Sequence, residues 1–290
     1  AMAETYAADR LARLVPYPAP DANKYARGKL ELVAGSPAYP GAAVLAARAA
    51  QRAGAGYTEV FASPEALPYV RQAQASLVVR PWSALSFKGE RPLDDRHPRA
   101  VAVGSGFDAQ GSEEAGVLRA VLRGAQAPVL VDGGALSLLA CEKMRRACVE
   151  RYRAGLVTVL TPHGGEAARL AAPLRISTGD PERLAARLAG AYGAVVVLKG
   201  PDTFVSEGVR TFAMREGTAA LAKAGTGDVL AGIIGALLAQ GVRAVDACML
   251  GTTVHARAGR AAADAVGAVS VIAEDVVDAL PAALGTFSQE

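Results

Sequence analysis

Residues 223–238 read Lys223-Ala224-Gly225-Thr226-Gly227-Asp228-Val229-Leu230-Ala231-Gly232-Ile233-Ile234-Gly235-Ala236-Leu237-Leu238. Apolar pairs recur every four positions after Asp228, which predicts a helix with one buried face. The glycines before it let the backbone approach a ligand, and the N–H groups at a helix N-terminus attract anions. The segment therefore predicts a phosphate cradle whose N–H groups come from Gly225, Thr226 and Gly227, with Gly227 in a turn that requires glycine.

Asp228 falls in the first turn of this helix, where a carboxylate is unexpected if the site only holds an anion. It is explained if Asp228 takes a proton from a hydroxyl that attacks the phosphate. The alternative is a plain turn in which Thr226 and Asp228 cap the helix. Short glycine motifs recur in unrelated proteins, so the tetrapeptide alone leaves both interpretations open.

The composition indicates a globular protein with a sizeable core. The chain has 290 residues, of which 51% are hydrophobic, and its formal net charge is +3. Its basic residues are scattered, so we expect no nucleic-acid partner. No apolar run approaches the ~20 residues that span a bilayer, and the N-terminus lacks a signal-peptide pattern. We expect no membrane association, a cytoplasmic location, and buried free thiols at Cys141, Cys148 and Cys248.

Short strand-like runs alternate with helical stretches, which predicts an α/β fold with a mostly parallel sheet covered by helices on both sides. The expected strands are 29–34, 57–62, 76–80, 100–104, 128–132, 157–160 and 194–199. The expected helices between them are 41–53, 111–123, 142–153, 165–171 and 181–192. A hairpin at 203–206 and 209–214 precedes the helix after Gly225 and two more at 245–265 and 273–284. We expect residues 1–22 to be an N-terminal extension with a cloning remnant at Ala1-Met2, and 23–286 to be a single domain.

Ligands of open parallel sheets bind outside the carboxyl ends of the strands. Five glycine-rich or polar loops follow predicted strands and should meet at that edge. They are Gly35-Ser36, Gly104-Ser105-Gly106, Asp132-Gly133-Gly134, Thr161-Pro162-His163-Gly164-Gly165-Glu166 and Lys199-Gly200.

Several short motifs along the chain resemble, in the same order, those of the ADP-dependent (S)-NAD(P)H-hydrate dehydratases of the ribokinase-like superfamily. The likeness runs from about residue 23 to 284. The motifs are Asn23-Lys24, Arg27-Gly28, Gly35-Ser36, Gly41-Ala42-Ala43, Ala53-Gly54-Ala55-Gly56, Leu160-Thr161-Pro162-His163, Gly165-Glu166, Val197-Leu198-Lys199-Gly200 and Ala224-Gly225-Thr226-Gly227-Asp228-Val229-Leu230-Ala231-Gly232.

The resemblance implies a ribokinase-like three-layer α/β/α sandwich without a separate lid domain, and a repair activity. Such enzymes restore NADHX and NADPHX, nicotinamide cofactors damaged by hydration, to the intact cofactor. ADP serves as the phosphoryl donor, usually with Mg²⁺. Phosphorylation turns the ring hydroxyl into a good leaving group, and the ring nitrogen then expels phosphate. We further expect a homo-oligomer, for example a tetramer.

The resemblance also assigns roles to particular residues. It makes Asp228 the base beside the cradle of Gly225, Thr226 and Gly227. The nucleotide-binding segment corresponds to Lys199, Gly200, Pro201, Asp202, Thr203 and also Gly227. The residues that line the hydrated-cofactor site, together with Asp228, correspond to Ala42, Gly106 and His163.

Several candidate residues also have an alternative interpretation as structural residues without a role in binding or catalysis. Glu166 either orients a metal-bound water or acts as a surface or capping residue. His163 is otherwise a plain loop histidine, and Lys199 a structural lysine at a strand end. His255, inside an Ala-rich helix, is expected to be packed or exposed rather than catalytic.

The chain departs from the family pattern on the hydrated-cofactor side, at Ala224, Phe107, Gly164, Gly134 and Ser137. These differences leave the phosphoryl-transfer residues intact and raise the question of a shifted substrate. Two other functions stay open. One is an ATP-dependent kinase of a sugar or vitamin precursor, and the other is a nucleotide sensor without catalysis.

Overall fold

A computed structural model of the chain describes residues 3–6, 8–89, 93–94 and 96–287. The expected cloning remnant at residues 1–2 lies outside this part. Nine strands of the described chain form one sheet in the order β3-β2-β1-β4-β5-β6-β7-β8-β9. In chain order, β1 to β9 are Lys29–Val33, Tyr57–Ala62, Val78–Pro81, Arg99–Val103, Val129–Val131, Thr158–Leu160, Val195–Leu198, Thr203–Ser206 and Thr211–Met214.

The strands from β1 to β7 pair in parallel, and β8 and β9 add an antiparallel edge. Eleven α-helices of the described residues connect or flank them. In chain order, α1 to α11 are Ala8–Ala12, Pro40–Arg52, Leu67–Ala73, Ser112–Gly124, Gly134–Leu139, Glu142–Arg153, Gly164–Ala171, Pro181–Tyr192, Thr226–Ala239, Ala244–Val266 and Ala273–Gly285.

Each face of the sheet carries its own hydrophobic core, and β4 shows how the sequence produces this arrangement. Ala100 and Ala102 pack with α2, α9, α10 and α11 on one face, whereas Val101 and Val103 pack with α4 to α8 on the other. Because successive side chains of a strand point to opposite faces, a strand covered on both sides must be apolar throughout. The predicted α/β fold with two helical layers and no separate lid is confirmed.

The close contact between α2 and α9 fixes the position of the phosphate cradle at the N-terminus of α9. A Cβ added at Gly232 would overlap the backbone carbonyl of Ala46, so glycine lets the two helices approach at backbone distance. All residues of α9 from Val229 to Ala239 are buried. The N-terminus of α9 is thus held rigidly in place.

Three details differ from the sequence-based expectations. The short helices α1, α3 and α5 were not predicted, and each spans only 5 to 7 residues. The last strand begins at Thr211 rather than at 209. The expectation of three buried thiols is wrong for Cys141, which is exposed at the residue before α6, whereas Cys148 and Cys248 are buried. No helix within the described ranges is long and apolar enough to cross a bilayer.

Candidate active site

Asp132 lies at the centre of a polar cluster at the carboxyl edge of the sheet, directly after β5. Its Oδ1 accepts hydrogen bonds from Thr161 Oγ1 at 2.6 Å and from Lys199 Nζ at 3.1 Å. Its Oδ2 accepts a third from Ser105 Oγ at 3.4 Å. The three donors follow β6, β7 and β4, so the expected meeting of these loops at one edge is confirmed.

Asp228 joins this cluster from the first turn of α9, through a hydrogen bond with the Ser105 hydroxyl. Burial, and then the negative charge of Asp132, raise the pKa of the Asp228 carboxyl to about 7, against the opposing effect of Lys199. A carboxyl with such a pKa can accept and release a proton near neutral pH. This geometry favours a base over a simple helix cap.

The cradle at the start of α9 offers backbone N–H groups rather than the threonine hydroxyl. Thr226 Oγ1 donates to the carbonyls of Leu221 at 2.7 Å and Lys223 at 2.9 Å, so the hydroxyl is turned into its own loop. Within the described residues, the N–H groups of Gly225, Gly227 and Asp228 have no protein acceptor. Such groups at a helix N-terminus suit the oxygens of a phosphate.

Gly225 and Gly227 of the cradle differ in whether their position requires glycine. Gly225 has a φ of +89°, and a Cβ there would lie 2.7 Å from Leu45 Cδ1 and 3.0 Å from Ala273 Cβ. A Cβ at Gly227 would meet only Lys199 Nζ, at 3.4 Å, which is an ordinary contact. The expectation that Gly227 occupies a turn that requires glycine is therefore wrong, because this residue is helical.

Lys199 lies where the cradle and the Asp132 cluster meet. Its ammonium group is beside Gly227 and paired with Asp132. Burial disfavours the charge of Lys199, but the carboxylates of Asp132 and Glu166 outweigh this effect and raise its pKa. The group is thus a cation placed against the free N–H groups.

The rest of the predicted nucleotide segment forms the connection from β7 to β8 on the same edge. Asp202 is exposed and forms a long ion pair with Arg215 at 3.9 Å. Among the contacts of the described residues, Lys199 alone brings a side chain of this segment into the Asp132 cluster. The other members are Gly200, Pro201, Asp202 and Thr203, which begins β8.

His163 and Glu166 form a capping box at the start of α7. His163 Nδ1 accepts a hydrogen bond from the Gly165 N–H at 3.0 Å, and Glu166 Oε2 accepts one from the His163 N–H at 2.9 Å. The capping alternative for Glu166 is therefore observed, although the residue is buried rather than on the surface. The His163 side chain is 56% exposed, and its backbone forms a β-bridge with Lys199.

Ala42 and Gly106 meet on the other side of Ser105. A Cβ at Gly106 would lie 2.8 Å from Ala42 Cβ, and the Gly106 carbonyl accepts a hydrogen bond from the Ser36 N–H at 3.1 Å. The neighbouring Tyr39 exposes its ring at this edge. Of the residues expected to contact the hydrated cofactor, Ala42 and Gly106 thus meet each other, whereas His163 lies next to Lys199.

The sequence did not single out Ser105, Asp132, Thr161 or His255 as site residues. The first three stand in loops that were expected at this edge, but their long-range hydrogen bonds left no local signal. His255 is buried, the first of the two expected alternatives, and its Nε2 has no hydrogen-bond partner among the described residues. Burial lowers the pKa of His255 to about 4, so its ring is neutral behind the cradle.

The site offers few direct metal ligands. In the described parts of the chain, no three His, Cys, Asp or Glu side chains are close enough to hold a metal ion together. Asp132 and Glu166 are the carboxylates beside the cradle, and protein donors already contact both. Mg²⁺ prefers one or two carboxylates with waters and substrate phosphates. This donor set therefore fits a Mg²⁺ ion that is held mainly by a nucleotide.

Comparison with known proteins points in the same direction. A family model described as NAD(P)H-hydrate dehydratase matches residues 30–282. The chain is 33% identical over 94% of its length to a Xanthomonas campestris protein named ADP-dependent (S)-NAD(P)H-hydrate dehydratase, of which it covers 93%.

Two further relatives differ in how much of them the chain covers. It is 35% identical, over 92% of its length, to a bifunctional NAD(P)H-hydrate repair enzyme of Corynebacterium glutamicum, and it spans about half (48%) of that protein. A Bacillus subtilis structure matches 99% of this chain and 100% of its own, with 26% identity and a TM-score of 0.82. It is described as an ADP/ATP-dependent NAD(P)H-hydrate dehydratase co-crystallised with ATP and Mg²⁺.

Proposed function

The chain belongs to the family of NAD(P)H-hydrate dehydratases, and on this basis we propose that it carries out its reaction at the cluster around Asp228. The family's activity is ADP-dependent dehydration of (S)-NAD(P)H hydrate, which repairs NADHX and NADPHX. The observation that carries the placement is the position of Asp228, a half-buried carboxyl with a pKa of about 7, at the helix start where three N–H groups are unpaired.

The chemistry asks for a base and an anion site side by side. The Asp228 carboxylate accepts the proton of the ring hydroxyl as its oxygen attacks the β-phosphorus of ADP. The phosphoanhydride bond breaks and AMP leaves. The ring nitrogen's lone pair then expels phosphate, and loss of a proton from the adjacent ring carbon restores the double bond. The N–H groups of Gly225, Gly227 and Asp228 stabilise the phosphoryl oxygens during transfer.

The two substrates then approach from different sides of Asp228. ADP lies along the connection from Lys199 to Thr203, with its phosphates at the cradle. The hydrated nicotinamide lies between His163 and the contact of Ala42 with Gly106. Mg²⁺, held by the phosphates and through water by Glu166, would supply further charge neutralisation.

The direct test is to incubate the protein with hydrated NADPH and either ADP or ATP, and to follow dihydronicotinamide absorbance and released phosphate. We expect absorbance and phosphate to rise together with ADP. ATP consumption with a stable phosphorylated product and no absorbance would instead indicate the sugar- or vitamin-kinase alternative. Nucleotide binding without any turnover would indicate the nucleotide sensor. The presence of Asp228 as a titratable base argues against that alternative.

The activity should depend on pH through Asp228. The base works only when ionised, so kcat/KM for hydrated NADPH should rise about tenfold per pH unit below the pKa and level off above it. With the pKa at about 7, the bend should fall near neutral pH. Initial rates in buffers of constant ionic strength would measure this. A profile that stays flat across pH 7 would contradict the assignment.

His163→Asn should impair use of the hydrated cofactor more than it impairs ADP binding. The asparagine amide can keep the cap on α7 but lacks the outward part of the imidazole ring. We expect KM for hydrated NADPH to rise about tenfold, while the Kd for ADP from calorimetry stays nearly constant. His163→Ala also removes the cap and serves as the comparison. A weakened Kd with an unchanged KM in the asparagine variant would place His163 on the nucleotide side.

The proposal also covers the domain organisation, the cellular location and the oligomeric state. Residues 23–286 form one domain, which agrees with a family match over 30–282. The protein works in the cytoplasm, where nicotinamide cofactors are consumed, and it forms a homo-oligomer such as a tetramer. Light scattering of the purified protein would measure the oligomeric state.

A further inference from the structure

We propose that Asp132 is a positioning residue of this site, which holds the Lys199 ammonium group against the cradle where the phosphoryl group is transferred. The proposal rests on the proposed function, because it takes the cradle to be the place of transfer. It changes the expected role of Lys199 from a general contact with the nucleotide to a fixed cation on the moving phosphoryl group.

First, Asp132 itself is held in place. Its side chain is almost completely buried, with 4% exposure. Oδ1 is bonded to Thr161 at 2.6 Å in addition to Lys199, and Oδ2 is bonded to Ser105. The loops of Thr161 and Ser105 therefore fix this carboxylate independently of Lys199.

Second, Lys199 needs such a partner. A lysine side chain has several rotatable bonds, so a free ammonium group would occupy many positions. The 3.1 Å ion pair with Asp132 confines Nζ to the position beside Gly227. The Lys199 side chain keeps 21% exposure, so it is not completely enclosed by the protein.

Third, a fixed cation at that position stabilises the charge of a phosphoryl group in transfer. Charge develops on the equatorial oxygens of a phosphoryl group in transfer, and cations or N–H donors placed in advance stabilise it. Lys199 Nζ supplies the charge next to Gly227, whose N–H group is unpaired. A cation that is held in place acts during transfer, so its loss should lower kcat more than it weakens binding.

The test is Asp132→Asn, which keeps the shape and an acceptor for Thr161 but removes the charge that holds Lys199. We expect kcat to fall about 10²-fold, as when one preorganised donor is lost, while Kd for ADP changes less than about threefold. In a Lys199→Met background, Asp132→Asn should cost less than about threefold, because its target is already gone. Additive losses in this double-mutant cycle would overturn the proposal.

A second readout does not depend on turnover. Acetylation of Lys199 by acetic anhydride, measured by mass spectrometry over a pH series, reports the titration of its amine. Asp132→Asn should move this curve to lower pH, because an opposite charge is lost, and an unchanged curve would overturn the proposal. Thr161→Val removes a bond to the same oxygen without removing charge, and should leave the curve in place. If the wild-type protein lacked dehydratase activity, the proposed function would fail while the acetylation curves still reported on the pair.

Discussion

Asp228→Asn should lower turnover of hydrated NADPH by about 10²–10⁴-fold, while ADP continues to bind. The amide keeps the size and the contact with Ser105, but it cannot accept the proton of the ring hydroxyl. Single-turnover absorbance measures the chemical step, and calorimetry measures Kd for ADP. A variant that retains more than half of the wild-type rate would exclude Asp228 as the base.

The loss should not come from unfolding. Burial raises the pKa of Asp228 from 3.8 to about 7, so the folded chain binds this proton more tightly than the unfolded chain. The contribution of Asp228 to the stability of the wild type therefore falls as pH rises from about 4 to 7, where the half-buried carboxyl must ionise. Asn carries no such cost, so the Tm of the variant at pH 8 should equal or exceed that of the wild type. Asp278→Asn, at an exposed carboxylate paired with Arg48, serves as the control for charge removal.

Gly225→Ala should destabilise the chain by about 1–2 kcal/mol and weaken ADP binding about tenfold. The backbone at residue 225 has a φ of +89°, which L-residues adopt only with strain. The added Cβ would also collide with Leu45 and Ala273, and relief of that collision would move the first turn of α9. Denaturant titration and calorimetry measure the two effects.

Gly227→Ala is the matched control for Gly225→Ala, two residues along the same segment. Its Cβ meets only the end of Lys199, at an ordinary distance, and its backbone is already helical. Alanine is the better helix former by about 1 kcal/mol, so stability should be kept or raised. Equal destabilisation at both positions would show that the strain at Gly225 is not what matters.

The strands, helix α9 and the loops at the ligand-binding edge were predictable from the sequence pattern. Continuous apolar runs such as 100–104 predicted strands buried on both faces, because alternate side chains must satisfy two cores. The four-residue period after Asp228 predicted α9, and the rule that ligands bind at the carboxyl ends of parallel strands predicted which loops meet there. The short helices α3 and α5 were not predicted, because the hydrophobic period cannot be detected in six or seven residues.

The arrangement of the site depended on contacts between distant positions. Asp132 meets Lys199 across 67 positions of the sequence and Thr161 across 29, and no local preference encodes either contact. The capping box that engages Glu166 was only one of two alternatives until the position of its carboxylate was known.

The amino-acid sequence by itself determined the alternation of strands and helices, the sheet edge where ligands bind, and the presence of a carboxylate beside an anion cradle. These follow from side-chain periodicity and backbone freedom, which are local properties. The tertiary structure alone decided that Asp228 has a pKa of about 7, that Lys199 lies beside Gly227, and that the Thr226 hydroxyl turns away from the ligand. Proton affinity and ion pairing depend on burial and on charges within a few ångströms, and only folding brings those together.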